Sequence, residues 1–172
     1  MLLRKAIELD PDSAYLQREL ATVYLQNKET DNALEVLEGL LSKNPEDIKS
    51  LIIYGGIKQV RKENDEAIAA YEKIISLDPK QQKIYSLLGG LYLEREDFAR
   101  AQDTFKREIE NFPLSYTGHF FLGRIYAQQG NAKDAKAEFQ KAIDLAPDRL
   151  EPRFELIDLY KNQGILHRMP HL

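Results

Sequence analysis

The chain contains no cysteine, so disulfides and thiolate metal sites are excluded. It also lacks long apolar runs. Leu51-Ile52-Ile53-Tyr54 is typical of the longest, far short of the roughly 20 residues that span a bilayer. There is no strong excess of either charge: 24 basic and 28 acidic side chains leave a net charge of −4. That balance removes the electrostatic footprint of a nucleic-acid binder and offers no polybasic patch to an anionic membrane. Met1-Leu2-Leu3-Arg4-Lys5 has none of the basic, apolar and small-residue segments of a secretory signal. The compartment stays open on these grounds. The cytoplasm is favoured, and the periplasm fits if a signal precedes this stretch.

Catalytic chemistry is equally sparse. No phosphate-binding P-loop motif and no nucleophile-elbow serine motif occurs. Gly55-Gly56 and Gly89-Gly90 sit inside helical pattern rather than after strands. Of the three histidines, His119 lies in an apolar packing column. His167 and His171 have an i, i+4 spacing, but no cysteine or carboxylate completes a metal site. No catalytic residue, metal site or cofactor is expected.

What the sequence does have is a repeat. Pro11, Pro45, Pro79, Pro113 and Pro147 are spaced by 34 residues four times running. Ala33, Ala67, Ala101 and Ala135 keep the same step, as do Leu3, Leu37, Tyr71, Phe105 and Phe139. Leu20, Tyr54, Leu88, Leu122 and Leu156 form a further column, and Gly55, Gly89 and Gly123 directly follow three of its members. Within a period, apolar residues recur at three- and four-residue steps. Tyr85, Leu88, Leu91 and Tyr92 share one face, and Ala101, Phe105 and Ile109 share another. This predicts two amphipathic helices per period. Short polar breaks such as Gln129-Gly130-Asn131 separate them, and each period ends in a proline that cannot continue a helix. Alanine at the head of the second helix allows close approach to the first. Each glycine within the first helix costs about 1 kcal/mol in propensity, so three in register point to tight helix crossings.

The pattern resembles the tetratricopeptide repeat. The clearest copies are Tyr85, Leu88-Gly89, Tyr92, Ala101, Phe105, Pro113 and His119, Leu122-Gly123, Tyr126, Ala135, Phe139, Pro147. Departures are Lys58 for a tyrosine, Glu108 for a small residue and His119 for a bulky aromatic. The resemblance implies an all-α fold, a right-handed superhelical solenoid of antiparallel helix pairs. The frame places the second helix of a truncated repeat at 1–13 and complete repeats at 14–47, 48–81, 82–115 and 116–149. The first helix of a further or capping repeat falls at 150–163. Residues 164–172 place no alanine in phase and are expected to be a disordered tail or a remnant of cloning. Ends cut from a longer array would expose apolar stripes, so self-association through the ends, or fraying of residues 1–9 and 150–163, is expected. Cysteine-free repeats so near the consensus also resemble bacterial members of the family.

The resemblance further implies that the first helices line a concave surface that holds a protein or peptide ligand. The groove-facing stripe then reads Tyr15, Arg18 and Thr22; Lys49, Ile52, Ile53 and Gln59; Lys83, Ser86, Leu87 and Leu93; Phe120, Phe121 and Arg124; and Phe154 with Asp158. Seven of these are apolar where the family commonly has polar residues, and Gly56 and Gly90 would deepen the floor. A partly hydrophobic groove for a partner peptide or helix is the expectation. Packing between neighbouring first helices is the alternative use of the same side chains, above all for Ile53 and Leu87. The Lys/Asn clamp of the chaperone-tail-binding subclass is missing, since Ile53 and Leu87 stand at two of its positions. Glu151, Glu155 and Asp158 would favour a ligand with a basic end there. The competing roles are a structural or oligomerisation segment and a regulatory region of a larger multidomain protein.

Overall fold

A computed structural model describes residues 2–162. Among them are ten helices and no strand. The expected tail at 164–172, with His167 and His171, lies outside the described residues. Two compact units are present, residues 1–84 and 85–172.

The first unit holds α1 (Leu2–Leu9), α2 (Ala14–Gln26), α3 (Thr30–Lys43), α4 (Ile48–Val60) and α5 (Asn64–Leu77). The sequence positions of the breaks explain the boundaries. Pro11, Pro45 and Pro79 each fall two residues beyond the last residue of α1, α3 and α5. Each consecutive helix pair is in contact from α1 to α5. Turns as short as Asn27–Glu29 force antiparallel neighbours. The core is built from the predicted columns. Ala33 and Ala67 are fully buried, as are Leu37 and Tyr71. Val23 stays exposed, although Ile57, 34 residues on, is buried.

Gly55 shows why the first helix tolerates glycine. A Cβ there would come within 2.7 Å of the Tyr71 ring and 3.3 Å of Ala70 Cβ. The phenol of Tyr71 fills that space and donates a 2.9 Å hydrogen bond to Gln59 Oε1. Lys58, where the family pattern has tyrosine, is held by an ion pair with Glu63 at 2.5 Å and lies 5.3 Å from the Tyr54 ring centre.

The second unit contains most of α6 (Gln82–Glu94), which begins just before the boundary. It continues with α7 (Phe98–Asn111), α8 (Tyr116–Gln128), α9 (Ala132–Leu145) and α10 (Glu151–Asn162). Here α8 packs on α7, α9 and α10, and α9 on α10. Ala101, Ala135, Phe105 and Phe139 are fully buried. Phe105 fills the space above Gly89, and Phe139 the space above Gly123, where a Cβ would meet the ring at 2.6 Å. The two unusual residues of this unit are accommodated by hydrogen bonds. Glu108 is fully buried, and its Oε1 accepts from Ser115 and Thr117 hydroxyls at 2.6 Å each. His119 is buried with Nδ1 2.6 Å from Glu138 Oε2, a core position as its column implied.

The turns between the two helices of a pair share one feature that composition does not announce. Lys28, Lys62, Glu96 and Gly130, 34 residues apart, all have positive φ, between 57° and 76°. Only glycine adopts this conformation without steric cost. For an L side chain the left-handed region costs roughly 1–2 kcal/mol.

Candidate partner-binding surfaces on the first helices

In the first unit the candidate side chains lie on α2 and α4. The structure divides them into two groups. Arg18, Thr22 and Gln59 are half-buried and engaged within the fold. The Arg18 guanidinium reaches Asp47 at 2.7 Å, the Thr22 hydroxyl donates to the Arg18 carbonyl at 2.9 Å, and Gln59 holds Tyr71. Burial works against the Asp47 charge. The Ser50 hydroxyl at 2.5 Å and the Arg18 guanidinium outweigh it and hold the carboxyl below its ordinary value. This cluster ties α2 to the start of α4. Tyr15 and Lys49 are exposed.

Ile52 and Ile53 form the second group. With Leu25, Gly56, Ile57 and Val60 they line a pocket of about 640 Å³ between α2 and α4, with Lys28, Thr30, Asp31 and Arg61 completing its wall. Ile52 and Val60 are exposed, Val60 at 83%. Ile53 packs in part against the core formed by Ala21, Ala33, Leu34, Leu37 and Ile57. Ile53 thus contributes both to the core and to the pocket wall. Sequence reasoning included Gly56 in the floor but missed Lys28, Val60 and Arg61. Lys28 and Arg61 come from the turns and Val60 from the last position of α4, and only folding carries them to one pocket.

Lys83 lies exposed near the start of α6, and Ser86 is half-buried. Leu87 keeps 38% of its surface exposed. In the second unit, Leu93, Phe121 and Arg124 meet Gly90, Glu94 and Gln128 around a pocket of about 350 Å³. Phe121 stacks on core Phe105, ring centres 4.8 Å apart, and Phe120 meets Phe121 edge-on at 5.2 Å. Phe120 also packs against Ala135, Phe139 and Leu156, so it has a substantial share in the core. The Arg124 guanidinium lies about 6 Å from both ring centres and pairs with Glu155 at 3.2 Å. Phe154 is 60% exposed. Asp158 pairs with Lys161 at 3.1 Å and, with Glu155 and Leu159, borders a separate pocket of about 290 Å³. The acidic end of this face is thus partly neutralised by the chain's own cations.

Two glycines distinguish these faces from the packing seams. A Cβ at Gly56 or Gly90 would meet nothing within 4 Å, unlike one at Gly55, Gly89 or Gly123. Packing does not require glycine at either position. Each lines a pocket. Among the described residues no group of three or more His, Cys, Asp and Glu is arranged to hold a metal ion, and no helix is long and apolar enough to cross a membrane.

Antiparallel helix pairs in a 34-residue period, with apolar pockets on the first helices, define a helical-repeat protein. Tetratricopeptide-repeat family models match residues 1–52, 56–81 and 86–149. The chain belongs to the tetratricopeptide-repeat family. No curated protein matches the sequence. Several solved structures are similar in fold. A MamA protein is 18% identical with a TM-score of 0.78, covering 88% of this chain and 82% of that one. YrrB, titled a TPR protein with an unusual peptide-binding site, is 18% identical with a TM-score of 0.77, covering 96% and 85%. PilF of Pseudomonas aeruginosa is 21% identical with a TM-score of 0.76, covering 96% and 75%. At these identities the likeness concerns the fold.

Proposed function

We propose that this chain is a protein-interaction scaffold whose first-helix faces hold an apolar or amphipathic segment of a partner protein. Tetratricopeptide-repeat proteins are in general scaffolds rather than enzymes, and YrrB is titled as having a peptide-binding site. The observation that carries the reading for this chain is the pair of open glycines. Gly56 and Gly90 forgo about 1 kcal/mol each of helix propensity, relieve no contact, and line pockets that also contain exposed Ile52 in the first case and half-buried Leu93 in the second. Apolar side chains left at the surface beside concavities are what partner recognition by a groove requires.

Photo-crosslinking in cells tests this without disturbing the core. A crosslinking residue replaces Ile52, Leu87 or Phe154 in turn, with exposed Lys106 on the second helix α7 as control. The expected result is one common partner captured from the three first-helix positions and not from position 106. Equal capture from position 106, or none from the other three, would refute the groove reading. Phe120 and Phe121 are poor first choices, because their contacts with Phe139 and Phe105 would mix loss of stability with loss of binding.

A further inference from the structure

We infer that the α2–α4 pocket accepts a large aliphatic or aromatic side chain of a partner peptide with an acidic residue, Asp or Glu, close beside it. This rests on the groove reading above and names the chemistry that one part of it would select. Four features support it, all within residues 25–61.

The floor and walls are apolar: Leu25, Ile52, Ile53, Ile57 and Val60. The space is real, about 640 Å³, and Gly56 keeps it open where any side chain would intrude. The rim is charged, and its charges are unequally satisfied. Arg61 donates to Asp31 at 2.8 Å and pairs with Glu63 at 3.0 Å, so its charge is answered within the chain. Lys28 has no ion pair among the described residues. It sits in the left-handed position of the α2–α3 turn (φ 63°), on the pocket wall. The unanswered charge at the mouth is therefore positive.

An apolar anchor would gain from burial against Ile52 and Val60, and an adjacent carboxylate would neutralise Lys28. A basic neighbour would meet uncompensated positive charge. Apolar fit supplies most of the affinity, and the lysine supplies the preference between flanking charges.

A random 12-residue peptide library displayed on phage, selected against the immobilised full chain, provides the probe. The expected outcome is enrichment of peptides that carry Leu, Ile, Met or Phe with Asp or Glu within two positions. A synthetic copy of a selected peptide should lose at least tenfold in affinity on Gly56→Leu, which fills the pocket, with no fall in melting temperature. Lys28→Glu should weaken it roughly fivefold at low salt, the size expected of one exposed ion pair, and shift a repeated selection toward basic flanks. The inference is overturned if no sequences are enriched, if flanking acids are absent from those that are, or if Gly56→Leu selects the same peptides. Peptides retained by Gly56→Leu but lost on Leu93→Ser would place binding at the second unit. That would leave the broader groove reading standing while removing this one.

Discussion

Adjacent glycines in one helix have opposite roles here, which makes the single residue the first scale of interest. Gly55 and Gly56 are indistinguishable by type and differ by one position of helical phase. That turn of about 100° points one at the Tyr71 ring and the other at open space. The same division separates Gly89, beneath Phe105, from Gly90. Replacing Gly56 with Ala is expected to stabilise the protein by up to about 1 kcal/mol, since helix propensity rises and nothing is displaced. Gly123→Ala is expected to destabilise by about 1–3 kcal/mol, because its Cβ would press on the Phe139 ring in a packed core. Thermal melts of the two variants give opposite signs if the packing is as described, and equal signs would contradict it. The departures from the family pattern are also resolved at this scale. Glu108 and His119 are accommodated at buried positions by hydrogen bonds, to Ser115 and Thr117 in one case and Glu138 in the other. Burial of a carboxylate is tolerated only with such partners.

Between elements, the Arg18–Asp47–Ser50 cluster links α2 to the beginning of α4. Its pH dependence follows from the sign of the Asp47 shift. The folded-state pKa is depressed, so the contribution to stability is present above the unfolded value near 3.8 and is lost as pH falls through the lower folded value. At neutral pH, Asp47→Asn should cost about 1.5–3 kcal/mol, typical of hydrogen bonds to a charged group in a largely buried position. Urea melts at pH 7, 5 and 3 should show the gap between the two proteins nearly constant from 7 to 5 and shrinking at 3. A gap unchanged at pH 3 would mean that the carboxylate is not held by these partners. The helices themselves were plain in the sequence, because their signals are local: three- and four-residue apolar spacing, and a proline two residues beyond the stop of each second helix. Less plain were the turns. Gly130 announces a left-handed residue, but Lys28, Lys62 and Glu96 adopt the same conformation without being suited to it.

On the scale of the whole molecule, stability should be unevenly distributed, since helical repeats gain it from their immediate neighbours. Helix α1 has eight residues and no buried residue among its described side chains, while α5 has six buried residues. Helix α10 buries Pro152 and Leu156, against five buried residues on α8. Native-state hydrogen exchange should therefore show α1 opening before α5 in the first unit, and α10 before α8 in the second. Uniform protection within each unit would indicate that the units open as single cooperative bodies. What the sequence determined by itself was the family, the period, the helix pairs and the alanine and aromatic seams, since these follow from periodicity within a few turns of chain. It also placed Ile52, Leu93, Phe121 and Arg124 on the stripe that borders the pockets. Tertiary structure alone decided that Arg18 and Gln59 serve the fold, that Phe120 is shared with the core, and that Lys28, Val60 and Arg61 join Ile52 around one pocket. The physical reason is that sequence phase tells which side of a helix a residue occupies, whereas its partners depend on what the neighbouring helices and turns bring to that side.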